Sequence, residues 1–135
     1  MGNQIIKPTE VAAPSGPYSQ AIATRSDGGT WLHIAGQIGV DINGNLAKGF
    51  EAQARQAWAN LVATLAAAGM GVTDLVKVTT YLVDQADMPR LGPVRGAFLG
   101  EARPASTLVI ARALAHPDWL FEVEATAFRP TTRSE

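Results

Sequence analysis

Apolar and polar residues change their period several times along the chain, and each change marks an element. From Ser19 to Thr24 the run SQAIAT alternates weakly, and Ser26-Asp27-Gly28-Gly29 supplies the polar, flexible residues of a turn. The segment WLHIAGQIGV from Trp31 predicts a strand with Trp31, His33 and Ala35 on one face and Leu32 and Ile34 on the other. Asn43-Gly44 reads as a two-residue type I′ hairpin turn, since both residues tolerate positive φ, and Leu46 begins the return strand.

The period then becomes helical. Phe50, Ala54, Ala57, Leu61, Leu65 and Ala68 recur three or four apart, Glu51, Arg55 and Asn60 fall off that stripe, and Gly69 and Gly71 end the helix. LVKVTTYLV, from Leu75 to Val83, is rich in β-branched and aromatic residues and predicts a central strand. A second helix is expected from Met88 or Pro89 to Leu99, capped by Asp87, although Gly92, Pro93 and Gly96 weaken it. Strands Thr107 to Ala111 and Leu120 to Phe128 follow, separated by His116-Pro117-Asp118, and a frayed tail is expected from Thr131. The order ββ(β)αβαββ predicts an α+β fold, a mixed β-sheet with two helices packed on one face. With 135 residues, one domain is expected, its ordered core running from about residue 5 to residue 130.

Composition narrows what such a domain can do. An apolar content of 47% is too high for a disordered chain, and a charged content of 17% leaves a surface rich in neutral groups, which favours an oligomer. The net charge of −1 gives no overall attraction to phosphate backbones or anionic lipid. There are 0 cysteines, so disulfides, thiolate catalysis and thiolate metal sites are excluded. The two histidines, His33 and His116, lie far apart and in no ligand-spaced cluster, and the P-loop, HExxH, GxSxG and GxGxxG patterns are missing. The first residues lack the basic and apolar runs of a signal peptide, and no apolar run approaches the roughly 20 residues that span a bilayer, so a cytoplasmic location is expected.

Three groups of residues carry candidate chemistry. Glu122 and Glu124 share one strand face, about 7 Å apart at roughly 3.3 Å per residue, opposite Phe121, Val123 and Ala125. Such a pair is usually solvated or paired with arginine from a neighbouring strand; where another subunit covers the face, a carboxylate there needs a role or a partner. Tyr18 follows a rigid Gly-Pro turn, where its ring either forms a pocket wall or packs at the sheet edge. Arg90, Arg95, Arg103 and Arg112 fall in a stretch whose single acid is Glu101, which suits a small carboxylate or phosphate as well as it suits scattered solvated side chains.

GPYSQAI from Gly16, IAGQIGVD from Ile34, and RPASTLV followed by FEVEATA together resemble the RidA family, also called YjgF, reactive-intermediate deaminase or L-PSP endoribonuclease. The helix QARQAWANLVATLAAAG and the strand LVKVTTYLVD agree, so the resemblance covers nearly the whole chain. It implies a chorismate-mutase-like subunit, a homotrimer with small-molecule ligands in clefts between subunits, and no metal or organic cofactor. The activity it implies is hydrolysis of enamines and imines such as 2-aminoacrylate to a 2-keto acid and ammonia.

By resemblance Tyr18 is the family's pocket tyrosine and Glu124 the glutamate that positions water. The serine of the family's SGQ motif is Ala35 here, followed by Gly36. The family's arginine in PxR, which grips the substrate carboxylate, is Ser106, which places the chain in an arginine-lacking branch. A bidentate arginine–carboxylate contact in a closed cleft is worth a few kcal/mol, roughly two to three orders of magnitude in efficiency. Poor 2-aminoacrylate turnover and a different ligand are therefore expected. An alternative is a non-catalytic metabolite-binding trimer using Ser106, Thr107 and Arg103. RNA cleavage or translation inhibition ranks third, because the chain is nearly neutral and lacks an aromatic and basic stripe.

Overall fold

The computed structural model describes residues 2–131. Strands β1 (Gly2–Ile6), β2 (Ala21–Ser26) and β3 (Gly29–Ile38) precede helix α1 (Phe50–Ala67). Strand β4 (Leu75–Leu82), helix α2 (Leu91–Leu99), and strands β5 (Ala105–Ile110) and β6 (Phe121–Pro130) complete the chain. The six strands form one mixed sheet in the order β1-β2-β3-β6-β4-β5. Neighbours pair antiparallel except β4 and β5, which are parallel and joined across α2.

Alternation decides the two faces. Leu32, Ile34, Phe121, Val123, Ala125, Ala127, Val78 and Leu82 are buried beneath the helices in one core with Ala54, Trp58, Leu61 and Leu65 of α1 and Val94 of α2. Alanines at positions 54 and 57 have no exposed surface, so the α1 backbone lies close on the sheet. Trp58 and Phe98 stack at 6.2 Å between ring centroids and join α1 to α2. The residues between these on each strand, among them Trp31, His33, Glu124 and Lys77, face away from the helices, and among the described residues no helix covers this second sheet face.

Several boundaries differ from expectation for physical reasons. The N-terminal strand β1 is too short and too polar to show a period, yet Asn3 pairs with Thr24 and Ile5 with Ile22. The Asn43-Gly44 turn is not type I′: only Gly44 has positive φ, 85°, and the loop closes on Asp41, whose N–H donates to the Asn45 carbonyl at 2.9 Å. The Asp41 carboxylate accepts from the Asn43 and Asn45 N–H groups at 2.9 and 3.0 Å, which satisfies the loop without a ladder. The return strand at Leu46 shrinks to one bridge with Val40.

Ahead of α2 the chain forms a 3-10 segment, Gln85–Arg90, capped by Asp84, whose carboxylate accepts from the Ala86 N–H. Asp87, the expected cap, is buried and pairs with Arg90. Asn60, expected off the buried stripe, is buried because it holds the end of β3. At the C-terminus the Thr131 N–H donates to the Gly28 carbonyl at 3.1 Å, and the rest of the expected tail lies outside the described residues.

Candidate active site

The site begins at a break in a ladder. The β3–β6 register slips between Ile34 and Gln37, so Ala35 and Gly36 bulge out of the strand. The freed Ala35 N–H donates to the Gln20 carbonyl at 2.8 Å. A Cβ on Gly36 would overlap the Glu122 carboxylate, so only glycine lets Glu122 lie across the bulge.

Two amides hold this arrangement. Gln37, 3% exposed, donates from Nε2 to Gln20 Oε1 at 2.9 Å and to the Ala35 carbonyl at 3.0 Å. Gln20 in turn donates to the Ala12 carbonyl at 2.9 Å, tying the segment that carries Tyr18 to the bulge. Behind them Asn60 of α1 donates to the Ile38 and Val40 carbonyls at 3.1 and 2.9 Å, which fixes the strand end on the helix.

The result is a cleft of about 530 Å³ whose lining includes Tyr18, Gln20, Ala35, Gly36, Trp119 and Glu122. Among the described residues, Glu122 is the one charged side chain that lines it. Burial, and then the neighbouring Glu124 charge, push the Glu122 carboxyl above the ordinary carboxylate value. A carboxylate held this way is a stronger base than a solvated one, and it faces two aromatic rings and neutral amides.

The residues expected to act together fall in three places. Tyr18, Ala35 and Gly36 line the cleft. Glu124 and Thr107 lie outside it on the open sheet face: Glu124 Oε1 accepts from the Tyr81 hydroxyl at 3.0 Å, and Thr107 Oγ1 accepts from Lys77 Nζ at 2.7 Å. The Glu124 hydrogen bond, more than burial, raises the Tyr81 phenol above its usual value. Ser106 and Arg103 line a second pocket of about 300 Å³ against Val78 and α2, on the helix-bearing side. Adjacent residues of a strand point to opposite faces, so Ser106 and Thr107 separate.

Period-two alternation put both glutamates on one face, but only the bulge at Gly36 brings Glu122 over the cleft. Residue period does not mark Gln20 and Gln37 as site residues; the amide inside each of the GPYSQ and GQ motifs is their signal in the sequence. Glu124→Gln removes one of two causes raising the Glu122 carboxyl. The acid limb of any Glu122-dependent rate profile is therefore expected to move to lower pH, by less than burial alone sustains, as a pH series of kcat/KM would read.

The fold and this cleft define a small α+β domain of the chorismate-mutase-like kind that presents one carboxylate to a ligand. Residues 9–129 match the family model described as Endoribonuclease L-PSP, and the chain belongs to that family, which also holds the RidA, YjgF and RutC proteins. A RutC family protein of Pyrococcus horikoshii is 39% identical over 93% of this chain and 98% of its own length. A protein of Salmonella typhimurium named 2-iminobutanoate/2-iminopropanoate deaminase is 36% identical over 87% of this chain and 91% of its own. Among solved structures, RidA from the Antarctic bacterium Psychrobacter superposes with a TM-score of 0.84 at 34% identity, covering 93% of this chain and 99% of that one. Among the described residues, no helix is long and apolar enough to cross a membrane.

Proposed function

We propose that the chain hydrolyses a reactive imine or enamine in the Tyr18 cleft, with Glu122 as the group that activates water. The single observation that carries this is a half-buried carboxylate of raised proton affinity, fixed over a glycine bulge in an otherwise uncharged cleft. The Glu122 carboxylate takes a proton from water as the water oxygen bonds to the imine carbon, the C=N electron pair moves to nitrogen, and Glu122 returns that proton to the nitrogen, giving the carbinolamine. The carbinolamine then collapses: Glu122 takes the hydroxyl proton as C=O forms, the C–N bond breaks with its electron pair on nitrogen, and Glu122 passes the proton to the departing nitrogen, which leaves as ammonia. The balance is imine plus water to carbonyl plus ammonia, with no cofactor required. Tyr18 closes one wall and excludes bulk water.

Glu124, the expected water-positioning residue, takes a supporting role in this proposal. Its charge raises the basicity of Glu122, and Tyr81 holds it in place. Relatives named as deaminases of 2-imino acids support the reaction class. The open sheet face, with Trp31 and Val109 each 37% exposed, suits burial against further copies of the chain in a homotrimer. Ser106 stands apart from Tyr18 within one chain, but in a homotrimer with clefts between subunits it is expected to face a neighbouring copy's cleft, where its replacing a carboxylate-gripping arginine would lower turnover of 2-imino acids by roughly two to three orders of magnitude. The test supplies 2-iminopropanoate and 2-iminobutanoate and follows keto-acid release. Turnover by the wild type, increased in Ser106→Arg, is expected; no rate above spontaneous hydrolysis in either would overturn the proposal.

A further inference from the structure

The charge in the Tyr18 cleft has one sign: among the described residues that line it, Glu122 is charged and no lysine, arginine or histidine is present. Glu122 also makes no ion pair among the described residues, so its charge is left to whatever enters. We propose that the cleft selects a carboxylate-free substrate, a protonated imine carrying a flat apolar group, bound between Glu122 and the rings of Tyr18 and Trp119. This substrate class rests on the imine hydrolysis proposed for the same cleft.

Electrostatics choose the cation. A carboxylate drawn partly out of water without a counter-charge is costly, and a cation beside it removes the cost. Glu124 adds to this, since its negative charge acts on Glu122 from the same strand. A 2-imino acid would bring a third carboxylate toward these two, and like charges at close range repel. A protonated imine is attracted instead, and it is the more electrophilic form, so binding and water attack favour one species. The balance is protonated imine plus water to carbonyl compound plus ammonium: a C–O bond forms, the C–N bond breaks with its pair on nitrogen, and the positive charge leaves with the ammonium.

Packing chooses the flat apolar group. Trp119 is a fixed wall: the buried Gln53 of α1 donates to the Asp118 carbonyl at 3.1 Å and accepts from the Leu120 N–H at 2.9 Å, which holds both peptide groups that flank it. His116 stacks on the same indole, with ring centroids 5.6 Å apart and planes 26° from parallel. Aromatic rings attract a cation and stack on a planar group, and Val11, Ile38 and Val40 add aliphatic surface to the lining. A volume of about 530 Å³ is more than a three-carbon imino acid fills and lies in the range that takes a ring-bearing ligand.

Calorimetric titration of the full chain at neutral pH and constant ionic strength with benzamidinium, benzamide and benzoate, three flat rings of similar shape that differ in charge, tests the binding. Saturable benzamidinium binding is expected, with benzamide and benzoate weaker by about tenfold or more. Glu122→Gln should weaken benzamidinium about ten- to a hundredfold and Trp119→Leu about tenfold, with Tyr18→Leu serving if the tryptophan variant fails to fold. Turnover is then compared for benzaldimine, released from benzylamine by an amine oxidase, and 2-imino-2-phenylacetate, released from phenylglycine by an amino-acid oxidase. A kcat/KM higher for benzaldimine by about tenfold or more is expected. Absence of benzamidinium binding, benzoate binding as tightly as benzamidinium, indifference to Glu122→Gln, or a preference for 2-imino-2-phenylacetate would overturn the substrate class, while hydrolysis of any imine leaves the reaction standing. Glu122-dependent benzamidinium binding with no imine hydrolysed, 2-iminopropanoate included, would remove the reaction and the substrate class with it, and leave a cation-binding cleft.

Discussion

Replacing Glu122 with glutamine is expected to lower imine hydrolysis by about 10²- to 10⁴-fold, the range for losing a positioned general base, with a much smaller change in KM. Glutamine keeps the shape that fits over Gly36 but cannot take a proton from water, and no second charged group among the described residues lines the cleft to replace it. The same variant is expected to gain stability at neutral pH. The Glu122 carboxyl has a higher proton affinity folded than unfolded, so the native state favours the neutral form. Stability from this site is therefore fully present below the unfolded value of 4.5 and is lost as pH rises through the folded value. Glutamine removes that loss. Melting temperatures of wild type and variant should nearly coincide in acid and separate at neutral pH, with the variant higher. A variant that loses activity and stability together would instead mark Glu122 as a structural carboxylate.

The parts of the fold that follow a period were legible in the chain. The stripe from Phe50 through Leu65 is the buried face of α1, and LVKVTTYLV became β4 with Val78 and Leu82 buried. What pattern could not reach is long-range register. β6 enters the sheet between β3 and β4, and it is this non-consecutive pairing, with a one-residue slip at Ala35-Gly36, that lays Glu122 over the bulge. Local residue types cannot announce such a slip, because Ala and Gly in a strand read as weak strand and nothing more. The same limit divided the expected site: Tyr18, Ala35 and Gly36 do meet, whereas Ser106 and Arg103 belong to the opposite side of the sheet. Motif order carried the family; contact geometry had to come from the folded chain.

Gly39→Ala is expected to cost about 3 kcal/mol, the upper end of the overpacking range, and to lower Tm by roughly 10 °C. A Cβ at position 39 would stand 2.5 Å from the Cα of Gln53, 2.7 Å from its Cβ and 2.8 Å from its carbonyl oxygen. These are atoms of the α1 backbone and its first side-chain carbon, which cannot swing aside as the end of a long side chain can. The helix must therefore move off the strand. Gln53 is also a tie, donating to the Asp118 carbonyl at 3.1 Å and accepting from the Leu120 N–H at 2.9 Å, so the shift reaches the segment leading into β6. Asn60, bonded to the carbonyls on either side of Gly39, is displaced with it. Gly36→Ala makes the contrast that isolates this effect. There the three atoms nearest the added methyl are the Oε2, Cδ and Cγ of the Glu122 side chain, which can rotate away, so Tm should change little while imine hydrolysis falls as Glu122 turns from the bulge. If chemical denaturation instead showed Gly39→Ala as stable as wild type, the close approach of β3 to α1 would not be what holds the wall of the cleft.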